Sequence, residues 1–318
     1  MKAYGESREL AALAGSQGGV VVLSQAELLG WSRYKLRRRL RKEGWRAVRP
    51  GAFAEPGRPA GAAEHLWAHQ LAHPELVVSH WSAALVHGIE RRVDRLDFIG
   101  PTSGRPAVGD GVLHRIRLRP DEVTVCAGLA VTTVPRTLAD LLRAGPRDDA
   151  LVAVDSAVSR RPAGERGPRA PLTLLDAVRD AVRDGKGMRG WKRALGWLSL
   201  ADERAGSPAE TIARLRMHDA GLYPETQAEL VLPGGRRVYP DFFFRAQGLV
   251  VEIEGYAWHG SRAQHQWDTA RHNELTECSE VRRVLRFTAA DVFHRPVSLV
   301  RTVRRALEGS PAEWGLAS

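Results

Sequence analysis

The chain has 318 residues, 43% of them hydrophobic, a net charge of +10 and two cysteines. That length exceeds one ordinary core and predicts two or three domains. Cys126 and Cys278 are too few for a disulfide framework or a cysteine zinc site, no apolar run approaches the roughly 18 to 20 residues of a bilayer span, and Met1–Glu6 lacks a signal-peptide pattern, so a cytoplasmic protein with no membrane partner is expected. Only five of the 47 basic residues are lysine, an arginine bias that GC-rich coding can produce without any nucleic-acid partner. Position is more telling: residues 1–50 hold 11 basic and 4 acidic residues, whereas residues 201–310 hold 15 of each. The basic excess therefore sits at the N-terminus, an electrostatic footprint for nucleic acid.

In chain order, residues 5–15 read as an amphipathic helix, Gly18-Gly19 breaks it, and Val20–Leu23 is a brief strand. Ser24 is expected to cap a second helix, with Glu27 completing a capping box. Gly30-Trp31 turns, Ser32 caps a third helix to about Glu43, and Trp45–Ala54 alternates like a hairpin. Helix, helix, glycine turn, helix, hairpin is the order of a winged helix-turn-helix, assigned to residues 1–58. On the third helix Tyr34, Leu36 and Leu40 are expected to face the core. Arg33, Lys35, Arg37, Arg38, Arg41 and Lys42 cover the exposed arc, and Arg46 and Arg49 on the wing reach the backbone of double-stranded DNA.

Residues 59–159 mix helix (61–72, 79–88, 135–142, 150–159) with strand (96–99, 113–118). The Arg-, Pro- and Gly-rich stretch 160–171 is the best linker candidate, and residues 160–204 add two helices. From 205 to 318 the order is α-β-β-β-α-β-α: a helix opened by Ser207-Pro208-Ala209-Glu210, strands at 226–232, 237–244 and 249–254, a helix over 262–278, a strand at 283–287 and further helix. The fold class is thus α+β and multidomain.

A turn centred between Ala246 and Gln247 sets Phe244 against Leu249 and Phe243 against Val250, and places Asp241 opposite Glu252. Glu254 projects from the same face as Glu252. Like charges so opposed destabilise a sheet, and apolar neighbours make unpaired carboxylates costly. A magnesium or manganese ion held by Asp241 and Glu252 removes the conflict; pairing with Arg237, Arg245, Arg283 or Arg286 is the alternative. Glu210 can reach the same site or serve only its capping box, and His259 in the loop after the strand is a candidate base or phosphate contact. Asp268, Arg271 and His272 share a helical face, where a local salt bridge explains them.

Tyr239-Pro240-Asp241, Val251-Glu252-Ile253-Glu254-Gly255, Trp258-His259, Asp268-x-x-Arg271-x-x-x-Leu275 and Val284–Phe287 resemble the very-short-patch-repair-like branch of the PD-(D/E)XK nucleases. That branch includes a domain of unknown function with a Glu-x-Asp-Gly signature. The resemblance implies a restriction-endonuclease-like α-β-β-β-α-β core and Asp241 and Glu252 as metal ligands joined by the Ile253 carbonyl; read with the residues above, the expected catalytic set is Asp241, Glu252, Glu254, Glu210 and His259. Position 254 carries Glu where the broader superfamily has Lys and the branch has Asp, and Glu280-Val281 stands where relatives have Gly-Trp. Gly18–Val21, Ser24–Leu28, Arg37–Leu40, Arg49–Gly51, Val78–Ala84 and Val131–Leu141 resemble the AbiEi-type antitoxins of abortive-infection systems. That likeness implies winged-helix DNA binding and, in some members, control of a nucleotidyltransferase toxin; no toxin partner is legible in this chain. The function expected is a magnesium-dependent DNA endonuclease targeted by its N-terminal domain, in repair or in defence against phage and mobile elements. The alternatives are an AbiEi-like regulator with an inactive nuclease fold, or an RNA-processing nuclease.

Overall fold

The computed structural model describes residues 2–28, 30–58, 61–101, 108–109, 111–164, 167–254, 275 and 277–309. The chain forms two compact units, residues 1–145 with 176–195 and residues 146–175 with 196–318. It is a mixed α+β protein with several small sheets.

The first unit opens with α1 (Lys2–Ser16), β1 (Val20–Val22), α2 (Leu23–Leu28), α3 (Arg33–Lys42), β2 (Arg46–Arg49) and β3 (Ala52–Ala54). The three strands form an antiparallel sheet in the order β1-β3-β2. Leu10, Ala14, Val21, Leu36, Leu40 and Phe53 close the core over it. Two details differ from the sequence reading. Ser24 is not a cap, because α2 already begins at Leu23; Gln25 takes that role, its Oε1 accepting the Val22 N–H at 3.3 Å. Tyr34 is 76% exposed rather than in the core. The buried stripe of α3 runs through Leu36 and Leu40, four residues apart, and a residue two positions before Leu36 lies roughly 200° around the helix. Ser32 does cap α3, accepting the Lys35 N–H at 3.4 Å.

The same unit continues through α4 (Ala62–Ala72), β4 (Val77–Val78), α5 (His80–Val86), β5 (Asp97–Ile99), β6 (Val112–His114), a 3-10 turn (Pro120–Glu122), β7 (Val123–Cys126), β8 (Leu129–Thr132) and α6 (Val134–Ala144). Its five-stranded sheet has the order β6-β5-β4-β8-β7, mixing parallel and antiparallel pairs. The strand expected over 113–118 ends at His114. The β7–β8 hairpin has no counterpart in the sequence reading. Its turn, Ala127-Gly128, holds both residues at positive φ (51° and 80°), the backbone of a two-residue hairpin loop, with alanine at a position where Asn or Asp would have been the signal.

Then follow α7 (Arg147–Val158), an antiparallel ribbon of β9 (Arg161–Gly164) and β10 (Gly167–Arg169) inside the stretch expected as linker, α8 (Leu175–Asp184), α9 (Trp191–Leu198) and α10 (Pro208–Asp219). The remaining elements are β11 (Glu225–Thr226), β12 (Leu230–Val231), β13 (Arg237–Val238), β14 (Phe242–Phe244), β15 (Leu249–Glu254), β16 (Arg283–Thr288), α11 (Ala289–His294) and α12 (Pro296–Glu308). One strand was expected over 226–232; the backbone instead turns at Gln227, with φ +49°, and divides it into β11 and β12. The main sheet has the order β11-β14-β15-β16, with β16 parallel to β15. Phe242, Phe244, Val251 and Ile253 pack with Ile212, Ala213 and Met217 of α10 and with Val292, Leu299 and Val303. Phe243 and Val250 face the other way, toward Ala228, Leu230, Val238 and Cys278. No helix among the described residues is long and apolar enough to cross a membrane.

α7 joins the second unit through a buried ion pair. Asp155 accepts from Arg214 Nη2 at 2.7 Å, from Thr211 Oγ1 at 2.9 Å and from the Asp202 N–H at 2.9 Å. Arg214 also donates to the Leu200 carbonyl at 2.5 Å. Removing one partner leaves the other charge stranded, so Asp155→Ala is expected to cost about 3 to 5 kcal/mol, whereas Asp155→Leu with Arg214→Met recovers most of that loss. Urea denaturation of the three chains measures both.

Candidate functional site

In the second unit, β14 and β15 pair Phe242 with Val251, Phe243 with Val250 and Phe244 with Leu249. Asp241 sits one step beyond the last paired residue of β14, level with Glu252. It is 8% exposed. Its Oδ2 accepts the Ile253 N–H at 2.7 Å and its Oδ1 accepts Gln227 Nε2 at 3.2 Å, while the Gln227 N–H donates to the Asp241 carbonyl at 3.1 Å. The positive φ of Gln227 is therefore part of how Asp241 is held: the turn brings both amide groups of one residue onto it. Sequence reasoning missed Gln227, because an interrupted strand and a continuous one look alike in a short polar-apolar run.

Glu252 is half-buried and stands level with Arg286 of β16 in the parallel register. Glu254 is exposed and forms an ion pair with that arginine at 2.8 Å. Two of the other candidate cations turn elsewhere: Arg245 pairs with Glu225 and Glu280, and Arg237 with Glu229. Glu210 lies on α10, whose Ile212 and Ala213 pack on the opposite face of the sheet from Phe243 and Val250. Its N–H donates to Ser207 Oγ at 3.2 Å, the cap expected there, but its carboxylate accepts the Gly206 N–H at 2.8 Å, one residue before the position that a reciprocal capping box uses. His259, Asp268, Arg271 and His272 lie outside the described residues.

At the N-terminus Arg33, Lys35, Arg37, Arg38, Arg41 and Lys42 are all exposed along α3, with Arg33 paired to Glu27 of α2. Arg46 and Arg49 are only half-exposed. Arg49 leans on α4, donating to the Ala68 carbonyl at 3.4 Å, and burial lowers its guanidinium pKa.

A second cluster, absent from the sequence reading, lies in the five-stranded sheet. Among the described residues, His80, Asp97 and His114 are the group of three or more His, Cys, Asp or Glu whose ligand atoms fall within 4.8 Å of one another. Asp97 is fully buried on β5; its N–H donates to Ser82 Oγ at 2.8 Å, which ties the strand to α5. Its carboxylate accepts from Arg95 at 2.8 Å and from His114 Nε2 at 2.8 Å, and these partners keep it well ionised against its burial. His80 opens α5 with φ +46°, is 1% exposed, and hydrogen-bonds Ser79 Oγ through Nδ1 at 3.1 Å. Its ring stacks on His114, centroids 3.7 Å apart and planes 15° from parallel. The residue types suit a transition metal. The arrangement suits one less, since nearly parallel rings aim their in-plane lone pairs side by side and Asp97 is already held by a guanidinium. No sequence spacing announces the trio, which is assembled by the pairing of β6 on β5 and the packing of α5 against it.

No family model matches the chain. Over 205 residues it is 30% identical to the uncharacterized protein Rv2248 of Mycobacterium tuberculosis (strain ATCC 25618 / H37Rv), a match covering 64% of this chain and 70% of that protein. The uncharacterized protein MT2308 of the CDC 1551 / Oshkosh strain matches to the same extent. The chain belongs to the family of these mycobacterial proteins. Among solved structures it is similar to the RV2827C protein of Mycobacterium tuberculosis, at TM-score 0.39 and 18% identity over 71% of this chain and 88% of that one. Membership of the Rv2248 family brings no activity with it, so function has to be argued from the sites themselves.

His80 gives one of these sites a measurable signature. Burial, assisted by the neighbouring His114, pushes its imidazole down from 6.5 to about 3. In the unfolded chain it regains its ordinary value, so between those limits falling pH protonates the unfolded state but not the folded one, and stability drops. From pH 7 to pH 5 this single group is expected to remove about 2 kcal/mol. The loss of unfolding free energy from pH 7 to pH 5 should be smaller by that amount in His80→Gln; an unchanged loss would show that His80 titrates at its ordinary value when folded.

Proposed function

We propose that the chain is a metal-dependent DNA endonuclease in which an N-terminal winged helix-turn-helix domain (residues 1–58) holds duplex DNA and a C-terminal restriction-endonuclease-like domain (residues 205–318) hydrolyses a phosphodiester. The observation that carries the reading is the pair Asp241 and Glu252 at the open end of the β14–β15 hairpin, with Asp241 held by the Ile253 N–H and by Gln227. Two carboxylates and the Ile253 carbonyl make a hard-oxygen donor set, and magnesium or manganese is the cation it fits. Asp241 and Glu252 would hold such an ion, which would supply Lewis-acid polarisation of a phosphate and a lowered pKa for bound water.

The chain's own residues account for positioning. The Ile253 N–H and the Gln227 amide orient Asp241 so that its carboxylate need not reorganise during reaction. Burial of Asp241 strengthens its interaction with any cation, because less water screens it. Glu254 occupies the position where the broader superfamily has lysine, and Arg286 beside it supplies positive charge on the same sheet face.

On the DNA-binding side, the exposed arc of α3 offers Arg37, Arg38, Arg41 and Lys42 to phosphates while Leu36 and Leu40 anchor the helix. Arg46 and Arg49 are the weaker candidates in this reading, since both are half-buried. A second reading, a DNA-binding regulator whose nuclease fold is inactive, is favoured by the Arg286–Glu254 ion pair, which neutralises the third acid.

Three outcomes test the reading. Purified protein should nick supercoiled plasmid only with magnesium or manganese, and Asp241→Ala and Glu252→Ala should abolish nicking while duplex binding persists. Gln227→Ala, which loosens Asp241 without removing a carboxylate, should lower the rate by about 10- to 100-fold. Duplex binding should weaken in Arg37→Ala/Arg38→Ala, with the slope of log K against log salt shallower by about 2. Calorimetry showing no carboxylate-dependent metal binding would move the assignment to the regulator.

A further inference from the structure

The first unit contains a cavity of about 800 Å³ that neither the DNA-binding helix nor the acidic centre uses. Its volume falls in the range of small-molecule sites. Arg115, Arg117, Arg143, Arg189 and Arg193 line it, against a single acid, Asp140. That acid is already engaged: it is buried, accepts Arg136 Nε at 2.9 Å, and pairs with Arg143 on its other oxygen. The two stacked rings, His80 and His114, form part of the wall, and His80 is uncharged at neutral pH. Ile116, Ala144 and Met188 give the cavity an apolar portion beside the cationic one.

One member of the cationic wall, Arg143, is built into the fold, and the exposed Arg115, Arg117, Arg189 and Arg193 surround it. Arg143 is buried, and its Nη1 donates to Met188 Sδ at 3.0 Å. The segment between α8 and α9 closes over it by leaving out side chains. A Cβ on Gly185 would collide with the Arg143 guanidinium, and one on Gly190 with the Arg143 carbonyl oxygen. Gly190 also has φ +83°, a backbone that other residues rarely adopt. Arg193 Nη2 donates to that same carbonyl. These contacts bring Met188, Arg189 and Arg193 against the α6 and β6 sides of the cavity. Burial lowers the Arg143 pKa, its partner Asp140 offsets part of that, and the neighbouring Arg136 adds to it.

We propose that this cavity binds a small polyphosphorylated ligand of the nucleoside di- or triphosphate class. Planar guanidinium forks engage phosphate oxygens two at a time, and several of them converging in one cavity match several adjacent phosphoryl charges. The cavity is far larger than inorganic phosphate needs, and its apolar portion at Ile116 and Met188 receives the ring of the ligand. The divalent-cation alternative at His80, Asp97 and His114 is disfavoured by the same arginines, which make the surroundings electropositive. The assignment does not depend on the nuclease reading.

Isothermal titration of the full-length chain with ADP, ATP and inorganic pyrophosphate at fixed ionic strength tests it. Comparison is with Arg117→Glu/Arg189→Glu, two exposed positions whose reversal leaves the core untouched, its fold checked by circular dichroism and melting temperature. Saturable binding of ADP or ATP, tighter than that of pyrophosphate and weakened by about tenfold or more in the double variant, is the expected result. No saturable binding up to millimolar nucleotide would overturn the proposal, as would binding that the folded double variant retains in full. Zinc titration that saturates in the wild type and is lost in His114→Ala, with no nucleotide binding, would reassign the site to a metal. Duplex DNA binding that is lost in the double variant and is not displaced by nucleotide would reassign it to DNA.

Discussion

Phe242, Phe243 and Phe244 pair with Val251, Val250 and Leu249 in a register that sorts every side chain of the second unit's sheet. Two phenylalanines go to the α10 side and one to the other, and the alternation continues along β15 to set Val251 and Ile253 on one face and Val250, Glu252 and Glu254 on the other. A slip of one residue would exchange the faces and push both glutamates into the packing against Ile212 and Met217. β16 then pairs in parallel with β15 over its whole length, from Leu249 to Glu254, so the position of Arg286 beside the acids follows from the same register. Its connection from β15 is long, as a parallel pairing requires.

Buried carboxylates recur in both units, and three of them are met by arginine. Asp155 is held by Arg214, Asp97 by Arg95 with His114, and Asp140 by Arg136 with Arg143. A buried carboxylate without such partners would be very costly, and the planar guanidinium satisfies several lone pairs at once. Part of the arginine excess is thus structural. It serves to fasten α7 to α10 and α6 to the turn before β7, where Arg136 also reaches Glu122 at 2.7 Å. Others form exposed ion pairs, and two further groups occupy the exposed arc of α3 and the cavity wall around Arg143. These are two different uses of positive charge: an arc open to solvent suits an extended polyanion, and a walled cavity suits a compact one.

Strained backbone marks both candidate sites. Gln227 and His80 are two of three non-glycine residues at positive φ among the described residues, the third being the hairpin residue Ala127. Gln227 places two amide groups on Asp241, and His80 begins α5 with its ring stacked on His114. Such conformations persist only where surrounding contacts impose them, and here those contacts are hydrogen bonds to a buried aspartate and ring stacking in a packed core.

Local pattern alone was enough for most elements and for one contact. The caps and patterns of α3, α10 and β14–β15 are carried by nearby residues: Ser32, Ser207, the Leu36–Leu40 spacing and the pairing of Phe with Val. A two-strand hairpin with a short turn has its register in its own sequence, which is why the Phe243–Val250 pairing and the level of Asp241 with Glu252 could be read from residues 241–252 alone. The tertiary structure alone decided the rest. That Asp241 leans on Gln227, that Glu254 meets Arg286, that α7 belongs with α10, and that His80, Asp97 and His114 gather beside Arg143 all depend on partners at least 14 residues away in the chain. Such contacts follow from how sheets and helices close a core around particular volumes and charges, and no periodicity within a single segment encodes them.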